Sequence, residues 1–597
     1  MALFTGRSTA GAALLLSLVS AGARDDRLSG WTTVRDFAFF WAFAMIAWAI
    51  WGVLVYPYLW SPLRGLPEPS GNHWLMGQGI RVLKEPTGWP MLEWYVQIRA
   101  IEIATRPRLT RSSCGCRMET LPHDGIIRFR GLFNQDQFLL CSPAAAGEVL
   151  VTRYHAFEKP PIIRAIAGRI LGNGVLFAEG DDHKTQRRKL MPAFAFRRIK
   201  ELCPLFWEKA RESVQAITAD IGGREEMELE AHAWMARCTI DMIGSLGLGR
   251  DFGAVADEHN PLYKTYDAVM KPSKMAAILA ALRLIFPDWL VNHIPMNRNT
   301  AMNGASAHIR DVCRSLVENK LERLAKGEQP DPDILSTALQ GGGFTVDQTV
   351  DQAMTFLAAG HETVAAAMTW ALYALSRHPD VQRRLRKEVR EHLPSVESDA
   401  GVTSTDVEDL PYLTAVCSEI LRMYPPIPLT IRQPIEDTTI QGVPIPKGTR
   451  IVLCAWALNR CQRYWGPTAN EFIPDRWLTE RPLRADGDSK QIGSDEAIDA
   501  SGKEKERTTS GGSSSPYANL TFMHGPRSCI GQSFARAEFA CLLAAFVGRF
   551  EFDLKAGCEG VKGELGSEQG IGVSKGAFSS KPGKDGLFLR VRPLGGF

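Results

Sequence analysis

The sequence predicts a mainly α protein with small β-sheets, an α+β class, behind one membrane-spanning helix. Helical periodicity dominates from about residue 145 to 425. Strand-like fragments are short and far apart, near 126–133, 440–454 and 586–592. Ahead of them, residues 37–56, "FAFFWAFAMIAWAIWGVLVY", carry no charge and no proline.

That apolar stretch comes first in the chain. As a helix it rises about 30 Å, the thickness of a bilayer core. Trp, Tyr and Pro follow it, as at a membrane interface. A surface that is apolar all round suits lipid better than a protein core. Lys and Arg are nearly balanced on its two sides, so they set no orientation. Residues 10–23 are also apolar and end in small residues, the pattern of a signal-peptide core or a second, shallow membrane segment. Residues 1–60 are therefore assigned as an N-terminal membrane anchor and 61–597 as one catalytic domain. The domain opens on "SPLRGLPEPSGNHWLMGQG", whose prolines and glycines stop a helix and make a stiff exit from the membrane. Residues 481–515, rich in Ser, Gly, Asp, Lys and Glu, read as a solvated loop insert. A second Gly- and Lys-rich stretch covers 557–585.

Composition narrows the function classes. With 45% hydrophobic and 23% charged residues the chain is globular. A net charge of +3 over 597 residues, with the basic residues scattered, speaks against a nucleic-acid partner. The twelve cysteines are spread widely, and only Cys114 and Cys116 lie close together. That is no disulfide framework; it fits a reducing compartment and buried thiols.

Four stretches carry chemistry. In "FTVDQTVDQAMTFLAAGHETVAAAMTWALYALSRHPD", Thr345 and Gln348 form a capping box and Pro379 closes the far end. The helix between them is apolar on all faces and must run through the centre. In its middle stand Gly360, His361, Glu362 and Thr363. A zinc-protease reading of His361–Glu362 needs a second His at position 365, which is Ala365. A purely structural reading has Thr363 bonding back to the carbonyl of Ala359 and kinking the helix. In "SEILRMYPPIP", Glu419 and Arg422 share a helix face. "FIPDRW" supplies Arg476, a second arginine for Glu419. "FMHGPRSCIG" packs one cysteine, one histidine, one arginine and two glycines into ten positions. Taken alone, Cys529 is a metal ligand, a nucleophile, half of a disulfide or a small buried residue. A hydrolytic thiol needs an oriented base, and His524 has no evident orienting partner; a structural zinc needs about four ligands, and none cluster here.

In their order, "AGHET", Glu419-x-x-Arg422, "FIPDRW" and Phe522-x-x-Gly525-x-Arg527-x-Cys529-x-Gly531 resemble the cytochrome P-450 (haem-thiolate) monooxygenase family, in its eukaryotic, membrane-bound and fungal form. The resemblance runs from about residue 62 to the last strand. It implies the cytochrome P-450 fold and a haem b whose iron is held by the Cys529 thiolate, a ligand that favours O–O cleavage. Amides at the start of the following helix help keep that thiolate ionised. Gly525 permits a tight turn below the haem, and Gly531 a close approach of the next helix. Arg527 pairs with a propionate, and Phe522 packs near the sulfur. Glu419, Arg422 and Arg476 are the structural triad. Thr363 and Glu362 are the alcohol and acid that supply protons during dioxygen activation, and Gly360 leaves room for the oxygen. Val364 departs from the family, which often has another hydroxyl there. In "GDDHKTQRR", His183 takes the place of an aromatic and Arg187 follows four residues on, both toward a propionate; the bland alternative is a solvated surface His183. Arg432, in "LTIRQP", is a further propionate ligand.

The function so implied is insertion of one oxygen atom into an apolar organic substrate, in fungal secondary-metabolite biosynthesis. The electron donor is a separate NADPH-cytochrome reductase, since no flavin or nicotinamide domain fits in the remaining chain. The location is the endoplasmic-reticulum membrane, with the catalytic domain cytosolic. Alternatives are a fatty-acid or xenobiotic hydroxylase, and a haem-binding protein without oxygenase activity; the intact Glu362–Thr363 pair argues against the latter. Substrate contacts are expected in 155–175 and 265–296, where residues 275–291 either border a lipid-facing entrance or form a core helix.

Overall fold

The computed structural model describes residues 30–94, 125–480, 510–555, 573–575, 579–583 and 586–597, with the fragments 497–498 and 504–507; residues 272, 274, 276, 277, 280, 281, 284–287, 295 and 330 are not among them. The stretch 10–23, the pair Cys114 and Cys116, and much of 481–515 and 557–585 lie outside the described residues.

The apolar segment is helical over Gly30–Ile50 and continues as a π-helix over Trp51–Trp60. Arg35–Trp60 has a mean hydropathy of 2.1 in its most apolar window, none of which is buried in the protein. By length and composition it can cross a membrane. It outruns the expected end at 56 because the wider π turns carry the chain through Pro57. Its last turns are bonded to the domain: Arg128 donates to the Pro57 carbonyl at 2.8 Å and Asn134 to that of Val53 at 3.0 Å. The exit is thus pinned to the sheet, not merely stiffened by proline.

The principal sheet has five strands: β1 (Ile126–Arg130), β2 (Asp136–Leu140), β3 (Phe157–Glu158), β4 (Leu429–Pro434) and β5 (Arg450–Cys454). Their order is β1-β2-β5-β4-β3, and β2–β5 is the parallel pair. The fragment expected at 440–454 breaks into Thr438–Ile440, Val443–Ile445 and β5. The break falls where Gln441 and Gly442 take φ of 48° and 78°, a tight hairpin turn. A second sheet joins Met227–Glu230 to Phe588–Pro593 and Phe550–Leu554.

The central helix, Val346–Arg377, runs 32 residues and is buried along most of its length. Thr345 and Gln348 form the capping box, and Pro379 opens the next helix, Pro379–His392. Around the central helix pack Ala231–Met242, Asn297–Ala325, Pro411–Met423 and Gln532–Arg549. Trp370 stacks on Tyr424 with centroids 4.5 Å apart, meets Trp456 edge-on, and donates to the Ser580 carbonyl at 2.9 Å. Such a buried tryptophan stabilises by roughly 3–5 kcal/mol relative to alanine.

The two described ends of the insert are not simply solvated. Glu504–Arg507 pairs with Leu478–Glu480, and Gly511 is buried against the Trp477 ring. Of residues 275–291, Met275, Ile278 and Leu290 are exposed while Leu279 and Val291 are buried.

Candidate active site

The cysteine loop is closed by its own backbone. The Cys529 amide donates to the Phe522 carbonyl at 2.9 Å, and Ser528 to that of Gly525 at 3.0 Å. Gly525 has φ 73°, and a Cβ there would lie 2.2 Å from the Leu150 carbonyl oxygen. Only glycine fits both demands. Gly531 is the N-cap residue of Gln532–Arg549, and its N–H reaches the Cys529 sulfur. Phe522 packs on the core with Arg536 over its ring at 5.3 Å.

Among the described cysteines Cys529 alone is exposed; the others are buried free thiols. Yet its surroundings are deep protein. Burial raises its thiol pKa, against the pull of the Gly531 amide and Arg187. Its side chain is thus accessible although protein surrounds it closely. His524 is no base for it: its Nε2 meets the Asn519 carbonyl at 2.8 Å and its ring lies edge-on to Tyr517.

Beside the loop is a cluster of buried cations. Arg527 forms an ion pair with Glu179 and donates to the Ala178 carbonyl at 3.3 Å, while its Nε is buried with no hydrogen-bond partner. Arg432 is buried on β4, bonded to Thr430 and the Ile431 carbonyl. Burial, then Arg527, brings its pKa down to about 10. Lys159 is held well below the usual lysine range by burial and by Arg432. His183 is buried, so the solvated-surface reading is overturned; burial and Arg527 lower its pKa to about 4. Arg187 turns to the cysteine loop, donating to the Ser528 carbonyl at 2.7 Å. The cations outnumber Glu179, the carboxylate set among them.

On the opposite side is the central helix. Amid its buried residues, Ala359, Gly360 and Thr363 keep partial exposure. Phe194 links the two sides: its ring lies 5.4 Å from that of Phe356, and its Cε1 is 3.8 Å from where a Gly531 Cβ would stand. The Thr363 hydroxyl donates to the Ala359 carbonyl at 2.8 Å, the back-bond of the structural reading, yet the helix is continuous. Gly360 also has a packing neighbour. A Cβ there would meet Ile243 side-chain atoms at 2.6 Å, so the glycine makes room for that neighbour. Glu362 points away into a polar pocket, accepting from Ser579 at 2.5 Å and lying 3.8 Å from His232.

The triad is brought together. Arg422 meets both oxygens of Glu419 at 2.8 and 2.7 Å, and Arg476 donates to the same carboxylate at 2.9 Å. The Trp477 indole and the Ile473 amide donate to it as well. Arg422 also holds the carbonyls of Asn459, Ala469 and Glu471. Asn459 passes the order on: it donates to Thr521 at 2.9 Å and accepts from the Leu520 amide at 2.8 Å, at the entrance to the cysteine loop.

Sequence reading missed Lys159, Glu179, Asn459, His232, Ser579 and Lys581. None lies in a chemical motif, and Ser579 and Lys581 sit in the stretch taken as Gly- and Lys-rich filler. Their roles come from contacts that reach some 60 to 370 residues away along the chain.

These residues fit a haem. A dianionic group beside Lys159, Arg432 and Arg527 offsets buried positive charge and gives the Arg527 Nε a partner. A thiol kept protonated by burial becomes a thiolate when a metal ion coordinates it.

The family model for cytochrome P450 matches residues 126–568. The cytochrome P450 monooxygenase ALT8 of Alternaria alternata is 37% identical over 92% of this chain and 93% of its own. The cytochrome P450 monooxygenases FUM15 of Gibberella moniliformis, at 38% over 92% of each chain, and sphH of Aspergillus fumigatus, at 37% over 92% and 91%, are similar along the same span. With that breadth of match, and a helical body with small sheets around a cysteine loop, the chain belongs to the cytochrome P450 family of haem-thiolate monooxygenases.

Proposed function

We propose that this enzyme inserts one oxygen atom from dioxygen into an apolar organic substrate of fungal secondary metabolism, with Cys529 as the haem ligand. Electrons come from NADPH-cytochrome reductase at the endoplasmic-reticulum membrane, to which residues 30–60 anchor it. The observation that carries the site assignment is the exposed Cys529, closely surrounded by protein and flanked by cations that outnumber Glu179. Haem held through a thiolate supplies the oxygen-activating chemistry. The chain supplies the rest. Lys159, Arg432 and Arg527 would hold the propionates, with His183 buried beside them, and Arg187 holds the cysteine loop. The triad and Asn459 keep that loop in place from behind.

Thr363 and Glu362 handle protons. The Thr363 hydroxyl donates to Ala359, which leaves its oxygen lone pairs to accept from a water or an acid. Burial pushes the Glu362 carboxyl up, yet Lys581 and the Ser579 hydroxyl are among the groups that hold it below the usual range. It is thus an ionised group that takes up and passes on protons. The fungal monooxygenases that resemble the whole chain support the biosynthetic reading.

The test is the absorption spectrum of the reduced carbon-monoxide complex, with NADPH oxidation measured with and without reductase. A red-shifted band and reductase-dependent oxidation are expected. A loaded protein without that band would overturn the ligand assignment. Metabolite profiles of a deletion strain would identify the substrate.

A further inference from the structure

We propose that His232, Ser579 and Lys581 form a proton-entry site for Glu362, with the ion pair Asp267–Lys271 at its outer mouth. The inference rests on the reading of Glu362 and Thr363 as the proton pair and names where their protons come from.

A cavity of about 20 Å³ lies between Ala231–Met242, Pro261–Met270, the central helix and Lys581. That is room for one water. Glu362 and His232 line it inside; Asp267 and Lys271, bonded at 2.6 Å, line it where Lys271 is largely exposed. The hydrogen-bond pattern fixes the histidine tautomer. The Thr369 hydroxyl donates its proton to the Ala365 carbonyl at 2.6 Å, so at its 3.3 Å contact with His232 Nδ1 it accepts. His232 therefore carries its proton on Nδ1, and a lone pair on Nε2 faces the Glu362 carboxylate at 3.8 Å. At 3.8 Å these two acceptors are too far apart to share a proton directly, and the one water for which the cavity has room can bridge them and carry a proton between them.

The other groups hold this arrangement open. Ser579 donates to the far carboxylate oxygen at 2.5 Å. Lys581 adds positive charge, which opposes protonation of both His232 and Glu362. Burial and Lys581 bring the His232 pKa to about 4, so the imidazole is neutral at pH 7. His361 turns its Nδ1 to the Leu357 carbonyl and its ring to Tyr266, while Tyr263 and Glu230 complete the titratable groups around the pocket. A proton arriving from solvent past Asp267–Lys271 binds between Nε2 and the carboxylate. Rotation of the protonated Glu362 side chain out of the pocket then delivers the proton through water to the Thr363 hydroxyl, which releases its own proton on the partly exposed side of the helix, and the pair returns to its resting charge. No oxidant or reductant enters the step.

The experiment uses the full-length, haem-loaded protein with His232→Phe, Lys581→Met, Lys581→Arg and Glu362→Gln variants. Infrared titration with isotope-labelled glutamate follows the carboxyl stretch that Glu362→Gln removes. Hydrogen peroxide formed per NADPH consumed is measured with reductase and NADPH alone. The expected result is a carboxyl titration moved to higher pH in Lys581→Met and restored in Lys581→Arg, with peroxide yield raised several-fold in His232→Phe and Lys581→Met. Haem content and the carbon-monoxide band should match the parent. If Glu362→Gln raises peroxide while His232→Phe and Lys581→Met leave both readouts unchanged, the entry site is wrong and the role of Glu362 stands. If Glu362→Gln itself leaves peroxide unchanged, both fall.

Discussion

Glu419 accepts five hydrogen bonds and Arg422 gives five, whereas Glu362, on the other side of the site, accepts one from Ser579 and faces a lone pair of His232. Both carboxylates are buried, and both are held below the usual carboxylate range by neighbouring groups against burial. The difference is in what a proton would disturb. At Glu419 it would displace an arginine from a saturated network, with nothing to replace the lost bonds. At Glu362 it would enter a gap between two acceptors. One side is built to keep its charge state, the other to change it.

The largest expected effect follows from the saturated side. Glu419→Ala leaves Arg422 buried with its charge unpaired, and Arg422→Ala does the same to Glu419. Breaking a buried pair costs roughly 3–5 kcal/mol. Both variants should lower the melting temperature sharply and yield haem-poor protein. Arg476→Ala should cost less, because Arg422 still meets both oxygens of Glu419. Equal losses for Arg476→Ala and Arg422→Ala would show that the network has no hierarchy.

Cys529→Ser should behave in the opposite way. The bonds that shape the loop are backbone bonds from Cys529 to Phe522 and from Ser528 to Gly525, and the serine keeps them. Thermal unfolding without haem should change little, while the red-shifted carbon-monoxide band disappears. Retention of that band would place the ligand elsewhere.

The glycines of the same loop sharpen the distinction between shaping a loop and seating a cofactor. An alanine at Gly525 must adopt φ 73° with its Cβ 2.2 Å from the Leu150 carbonyl. That costs on the order of 1–3 kcal/mol or more, with or without haem. At Gly531 the φ is an ordinary −86°, and the nearest protein atom to a Cβ is 3.8 Å away. Gly531→Ala should leave the fold within about 0.5 kcal/mol of the parent and lower haem occupancy alone. Differential scanning of haem-free and haem-loaded protein separates the two. Equal destabilisation of the haem-free forms would refute the distinction.

What the sequence made legible follows the same divide. The cysteine loop and the triad are compact signatures, because a tight turn, a metal ligand and an i, i+3 pair are fixed by local spacing. The central helix was legible through its capping box and uniform apolarity. Asn459 was not, since its partners Leu520 and Thr521 lie about 60 residues on and no local pattern marks them. At Gly360 a glycine signals close approach without saying to what; only packing identifies Ile243 as one neighbour a side chain would meet. His183 reads as a residue turned toward a propionate, with a solvated surface histidine as the alternative; its burial is not legible in a charged helix, because Arg527, Lys159 and Arg432 around it come from other segments. The N-terminal apolar helix was legible, but its docking through Pro57 and Val53 was not, because carbonyl acceptors leave no trace in side-chain composition.

Thr363 carries the smallest effect on stability and the most specific one on chemistry. Its hydroxyl bonds to the Ala359 carbonyl within a continuous helix, and alanine is the better helix former. Thr363→Ala should therefore unfold within about 0.5 kcal/mol of the parent and retain its haem. On the proposed function, what it loses is the oxygen that accepts and passes a proton on the partly exposed side of the helix, one position from Glu362. Electron consumption should continue, with a larger share of NADPH ending as hydrogen peroxide. Thr363→Ser keeps the hydroxyl and should stay near the parent. If Thr363→Ala leaves the peroxide yield unchanged, the hydroxyl only satisfies a helix carbonyl, and the contrast between the two sides of the site must be carried by Glu362 alone.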